Sequence, residues 1–366
     1  MNHLFNGWAK KIVWRDKCSV GVMDFEGHHH VCEVEGCPVH WVEHGTATDK
    51  PPLVLLHGLN DCHLTWKNLA PPLARERRVL IPDLPGHGLS GRPDASYELR
   101  WYARVMARWF EALALDTADV VGHSFGGGVA LVMLLECPER IRRLVLVSSG
   151  GLGREIAVAL RLASIPGVVE RFGQPFMGPG TKLALKATCD VLSKDEIEAL
   201  SAMNARRGSA RTFARTVRDI INWRGQRHNF FKRARELALL PCIAVFWGDR
   251  DTIIPASHAQ ALADSVDGIR LKLFDGCGHY PHHERPSAFL DALLSFVDDP
   301  TVTRARLHEF GQAKKPRPAP RCPERPAREA GRQPNPGIAP PCSRPARALG
   351  LAFGGLTRAA LRDAKR

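Results

Sequence analysis

A chain of 366 residues that is 44% hydrophobic, 24% charged and 7% aromatic has the composition of a globular protein, long enough for one large domain with an insertion or for two smaller ones. Its net charge of +13 is unevenly placed: residues 301–366 hold 15 Lys+Arg against 4 Asp+Glu, which leaves only +2 for residues 1–300. No run reaches the roughly 18 apolar residues that a membrane-spanning helix needs, and the opening MNHLFNGWAKKIVWRDK lacks the apolar core of a signal peptide, so no membrane insertion and a cytoplasmic location are expected.

From residue 28 the chain alternates strand and helix signals. HHVCEVEG and PVHWVEHG read as a hairpin, and PLVLLHG, RRVLIPD, ADVVGHS and RLVLVSS as short strands apolar on both faces, which suits a parallel sheet covered by helices. Between them LTWKNLAPPLA, YELRWYARVMARWFEALAL and FGGGVALVMLLE predict helices, the last ending at Cys137-Pro138. The alternation resumes with CIAVFWGD, a helix from about His258 to Val266, the strand RLKLFD and the helix SAFLDALLSFV. This pattern predicts an α/β fold with a doubly wound, mostly parallel eight-stranded sheet, its core formed by residues 1–150 and 241–300.

Residues 151–240 hold no strand run. EIAVALRLA, KDEIEALSAMNARR and ARTFARTVRDIINW predict a helical cap, jointed at Pro166, Pro175 and Pro179, with 16 basic against 8 acidic residues. That surplus reads as a solvated face, or as arginines that steer an anionic substrate. Residues 301–366, rich in proline and arginine, predict a disordered tail, and without interleaved aromatics no nucleic-acid partner is expected. Ten scattered cysteines with no C-x-x-C pair predict free thiols, mostly in the core, and no zinc.

The strongest chemical motif is Gly122-His123-Ser124-Phe125-Gly126, set between the strand ADVV and the apolar helix that follows. A serine on a sharp strand-to-helix turn exposes its hydroxyl at the carboxyl end of the sheet, and flanking glycines let neighbouring backbone pass close. The hydroxyl needs a base, and the base an orienting acid. For the acid we choose Asp251 over Asp249, because Asp249 follows the strand directly and its side chain is expected to bind the turn's own amides. For the base we choose His279, the first histidine after Gly278. His282 and His283 read as surface or capping residues, and Pro281 argues against a helical His279/His283 metal pair. The amides of Phe125 and Leu59, the latter after His57-Gly58, are the expected oxyanion donors.

Other groups read as structural. His28-His29-His30 is expected to be a solvated strand edge, and Gly150-Gly151-Leu152-Gly153, which lacks a full phosphate-loop pattern, an exit into the cap. Trp101 and Trp109 are spaced as helix packing residues, and of the cap's aromatics Trp223 is the candidate to line the pocket.

HGLND (57–61), DLPGHGLSGRP (83–93), GHSFGGG (122–128), WGDRDTIIP (247–255) and GCGHYPHHERP (276–286), in this order, resemble the α/β-hydrolase superfamily and within it the capped serine hydrolases. The resemblance implies a Ser124, His279, Asp251 triad, hydrolysis of a carboxylic ester through an acyl-enzyme, no cofactor, a small-molecule acyl substrate, and a structural turn at Asp83–Ser90. Serine at 124 departs from the aspartate nucleophile of epoxide hydrolases and haloalkane dehalogenases, and His123 departs from the asparagine common in carbon–carbon hydrolases. Two alternatives stand beside the esterase: a carbon–carbon hydrolase of a ring-fission keto acid, and a ligand-binding protein on a hydrolase scaffold.

Overall fold

The structure is a computed structural model in which residues 27–165, 167–237 and 239–307 are described. The expected tail lies, beyond Leu307, outside them. Eight strands form one sheet: β1 His28–Val34, β2 Cys37–His44, β3 Leu53–Leu56, β4 Val79–Pro82, β5 Ala118–His123, β6 Ile141–Val147, β7 Cys242–Gly248 and β8 Arg270–Phe274. Their spatial order is β1-β2-β4-β3-β5-β6-β7-β8, with β2 antiparallel to both β1 and β4 and all other pairs parallel. The eight-stranded, mostly parallel sheet expected from the sequence is present.

The strands are apolar throughout because both faces of the sheet are covered, and the two-residue period divides them between two cores. Val54, Leu56, Val120, Leu144, Leu146, Ile243 and Val245 face one cluster, while Leu53, Leu55, Val121, Val145, Val147, Ala244 and Phe246 face the other. Helices α1 Leu99–Ala112 and α2 Phe125–Glu136 cover the first face. Helix α1 buries Tyr102, Met106 and Trp109 and turns Arg100, Arg104 and Arg108 to solvent, an amphipathic pattern at the helical period. Helix α2 is apolar all round and buried from Phe125 to Leu134, as befits a helix in the middle of the layer.

Between β6 and β7 lie α3 Val158–Ala163, α4 Val168–Phe172, α5 Met177–Thr188, α6 Lys194–Asn204 and α7 Ser209–Ile220. A capping box opens α6: Ser193 Oγ accepts from Glu196 N–H while Glu196 Oε2 accepts from Ser193 N–H. Several of the insertion's arginines are spent on the core: Arg206 donates to Gly88 O (2.6 Å), Arg211 to Arg92 O (2.9 Å) and Arg215 to Asp94 Oδ1 (2.6 Å). After β7 come α8 Ser257–Ser265 and, beyond β8, α9 Pro286–Val297, which buries Phe289, Leu293 and Phe296 in the second core.

Three local expectations change. The helix expected over LTWKNLAPPLA is two separate turns, His63–Trp66 and Ala70–Leu73, because Pro71 and Pro72 have no N–H to continue a helix across the junction. Pro179 lies inside the first turn of α5 rather than at a joint; there the missing N–H would have no helical partner anyway. The insertion also contains a strand pair, Ile221–Asn222 with Gly225–Gln226.

Candidate active site

The carboxyl ends of β3, β5, β7 and β8 bring together four loops, the position at which open parallel sheets hold their sites. Ser124, between β5 and α2, has φ +52° and ψ −113°, a conformation that side chains other than glycine's rarely adopt. Its backbone is locked there: Ser124 N–H donates to Val147 O (2.9 Å), and Ser124 O accepts from Gly150 N–H (3.0 Å). The turn needs its glycines. A Cβ on Gly122 would stand 2.7 Å from Gly126 O, and one on Gly126 would stand 2.5 Å from His57 O. The spacing G-x-S-x-G is therefore the consequence of helix α2 packing directly onto the ends of β3 and β5.

His279 Nε2 lies 2.9 Å from Ser124 Oγ, and His279 Nδ1 lies 2.7 Å from Asp251 Oδ2. The Asp251 side chain is fully buried and the His279 ring is nearly so. The carboxylate fixes the tautomer, since Nδ1–H must donate to it, and this leaves the Nε2 lone pair facing the hydroxyl. Asp251 Oδ1 accepts from Ile253 N–H (2.8 Å) and Ile254 N–H (2.9 Å), which anchors the acid to its own loop. Asp249 instead accepts from Gly276 N–H (2.7 Å) and ties the β7 loop to the β8 loop. The reason offered for choosing Asp251 was inverted: the acid facing His279 is the one that binds its turn's amides.

The loop carrying His279 is held from both sides by groups that the sequence did not mark. Glu284 accepts from Gly278 N–H (2.8 Å) and Tyr280 N–H (3.2 Å), and His123 Nε2–H donates to His279 O (3.0 Å). Burial holds the His123 imidazole well below its ordinary pKa, so it donates as a neutral ring. His57 plays the matching part at the β3 loop: its Nε2 accepts from Leu84 N–H (2.9 Å) and its Nδ1–H donates to Gly58 O (2.8 Å), with burial lowering its pKa to about 4.

Ser124 opens onto a pocket whose space, together with the solvent at its open mouth, comes to about 510 Å³. Leu59 and Phe125 border it, and Leu99, Ile156, Leu160, Ile220, Ile221, Ile253 and Ile254 make most of the remaining wall. Gln226 and His228 are its polar residues besides the serine, and an adjoining cavity that shares Leu99, Gly128, Gly151 and His228 with it is lined by Arg227, Lys232 and Arg233. The Phe125 N–H is a first-turn donor of α2 with no helical acceptor, and among the described residues no backbone carbonyl accepts from Leu59 N–H.

Two further expectations are corrected. Trp223 does not line this pocket; it stands 73% exposed, with the Arg224 guanidinium 4.7 Å from its ring centroid. His282 is not a surface residue. The single turn Pro281–Glu284 points it inward, where it stacks on Trp66 at 4.7 Å and contacts the His123 ring at 4.6 Å. Elsewhere, His40, His63 and Asp83 bring ligand-type atoms within 4.8 Å of one another. The Asp83 carboxylate there accepts from His40 Nδ1 (2.8 Å), His63 Nδ1 (3.0 Å), His63 N–H (2.7 Å) and Leu89 N–H (2.8 Å), a hydrogen-bonded anchor for the 83–90 turn.

The family model described as alpha/beta hydrolase fold matches residues 51–286. The chain belongs to that family. An uncharacterised protein of Mycobacterium tuberculosis (strain ATCC 25618 / H37Rv) is 32% identical to this hydrolase over 279 residues, which cover 71% of the present chain and 81% of the relative. The 2-hydroxymuconate semialdehyde hydrolase of Pseudomonas sp. (strain CF600) is 32% identical over 251 residues, 67% of this chain and 86% of that one. Among solved structures, wild-type Cfl2 from Burkholderia cenocepacia superimposes with a TM-score of 0.64 at 23% identity, covering 75% of this chain and 97% of its own, a likeness of fold.

Proposed function

We propose that this α/β hydrolase cleaves a carboxylic ester with an apolar acyl group through an acyl-enzyme. The observation that carries the reading is the continuous relay from Ser124 Oγ to His279 Nε2 (2.9 Å) and from His279 Nδ1 to Asp251 Oδ2 (2.7 Å). As Oγ attacks the ester carbonyl, His279 takes its proton and Asp251 stabilises the imidazolium that forms. The amides of Leu59 and Phe125 receive the oxyanion, each worth on the order of a hundredfold in rate. His279 then protonates the departing alcohol, and the same ring activates water to release the acid.

An ester with an apolar acyl group is supported by the wall of the pocket around Ser124, which offers mostly apolar side chains. The second reading, carbon–carbon cleavage of a ring-fission keto acid, is supported by the 32% identity to the 2-hydroxymuconate semialdehyde hydrolase. Turnover of short-chain nitrophenyl esters tests the first: Ser124→Ala should abolish it without altering the melting temperature by more than about 2 °C, and a fluorophosphonate probe should label the native chain at Ser124. Activity that survives the substitution removes the serine mechanism. A product assay with an anionic ring-fission substrate separates the two hydrolytic readings.

A further inference from the structure

Ten of the eleven large apolar side chains that stand exposed among the described residues fall between positions 158 and 239, all inside the insertion. Soluble surfaces scatter such residues singly; a concentration on one segment marks a docking surface. Leu162, Ile165, Val168, Phe172, Phe176 and Leu183 follow one another in sequence from α3 through α4 to the middle of α5, with Phe172 at 64%, Phe176 at 69% and Leu183 at 73% exposure. Trp223, 73% exposed, adds an aromatic ring capped by Arg224, and Arg171 lies 5.7 Å from the Phe172 ring centroid, pairings of a flat apolar body with a cation that suit the boundary between water and lipid.

Charge selects the occupant. Residues 151–240 carry 16 Lys+Arg against 8 Asp+Glu, a surplus of eight that falls to five once Arg206, Arg211 and Arg215 are counted with the core they bind, whereas the rest of residues 1–300 carries 20 against 26. Two copies meeting through this surface would set one cationic segment against another and repel, while an anionic leaflet would attract it. The same short helix serves both sides: α3 lines the Ser124 pocket with Leu160 and turns Val158 and Leu162 outward to solvent.

We infer that the insertion docks on an anionic lipid surface, and that the substrate is a long-chain amphiphilic ester drawn from that surface past α3 into the pocket. The substrate half rests on the ester-hydrolase reading; the docking half does not. The full chain, mixed with vesicles of equal parts phosphatidylcholine and phosphatidylglycerol, should sediment with them, and less with phosphatidylcholine alone. The pairs Phe172→Ser with Phe176→Ser and Leu162→Ser with Ile165→Ser should each lower vesicle binding on the order of tenfold while keeping the melting temperature and short-chain ester turnover. Ser124→Ala should bind as the native chain does. Vesicle binding unchanged in both pairs would overturn the inference, because the attraction would then come from charge elsewhere. So would absence of vesicle binding with a dimer by light scattering that Phe172→Ser with Phe176→Ser converts to monomer. A native chain that binds vesicles yet turns over no soluble ester keeps the docking surface and removes the hydrolytic reading.

Discussion

Ser124 is held at φ +52° by bonds to Val147 and Gly150, and this conformation is costly for any side chain with a Cβ, on the order of 1–3 kcal/mol. The strain points the hydroxyl at His279 and away from the helix, so it belongs to the proposed chemistry and works against stability. Two substitutions separate the contributions. Ser124→Ala and Ser124→Gly should both abolish ester turnover, since neither has a hydroxyl. Glycine, which adopts this backbone freely, should nevertheless be more stable than alanine by about 1 kcal/mol after its larger unfolded-state entropy is counted. Urea unfolding of the two variants side by side measures the difference, and an alanine variant equal to or more stable than the glycine one would show that the turn stores no strain.

At the scale of elements, the loop between β8 and α9 carries the base, and its shape depends on Glu284 at the end of a single helical turn. Its carboxylate accepts the amides on both sides of His279. Glu284→Ala frees both, and with them the angle of the imidazole; kcat should fall on the order of tenfold to a hundredfold while KM for a short ester stays within about twofold, because positioning rather than binding is lost. Glu284→Gln, which keeps one acceptor, should recover part of the rate. Steady-state kinetics on the three proteins decides the matter, and equal kcat values would leave Glu284 without a positioning role. This same loop shows what a linear reading reaches. The strands were legible because each is apolar on both faces, and Ser124, Asp251 and His279 because each follows a strand end in a recognisable turn. Glu284 and His123 were not, since a carboxylate five residues beyond the base and an imidazole 156 positions before it become partners of the loop only once β5 and β8 lie in one sheet. Trp223 failed because the segment read as a helix running to it ends at Ile220, and Trp223 falls in the turn between the strands Ile221–Asn222 and Gly225–Gln226, which carries it outward.

Across the whole molecule, histidines are unusually well buried, and this makes stability a function of pH. Burial lowers His57 to about 4 and His87 to about 3, both from an ordinary value near 6.5. Between those limits the unfolded chain binds protons that the folded chain refuses, so the stability these neutral rings contribute is complete above about pH 6.5 and is lost as pH falls toward their folded values. The loss amounts to about 1.4 kcal/mol per pH unit for each ring once its unfolded form has titrated, or roughly 2 kcal/mol apiece by pH 5. Asp83 moves in a different range: the His63 and His40 imidazoles beside it hold its carboxyl well below the usual carboxylate pKa against the opposing effect of burial, so it begins to titrate only under stronger acid. Burial pushes the Asp61 carboxyl up to about 7, so it acts in the opposite sense over the same range, and the histidine contribution is read from urea unfolding between pH 8 and pH 5 as a difference between native and variant. His57→Gln, whose amide carries no titrating proton, should lower stability at pH 8 yet make the change toward pH 5 less destabilising than in the native chain by about 2 kcal/mol. A pH dependence that His57→Gln leaves equally steep would mean that His57 is not the neutral buried ring that holds the β3 loop against Leu84.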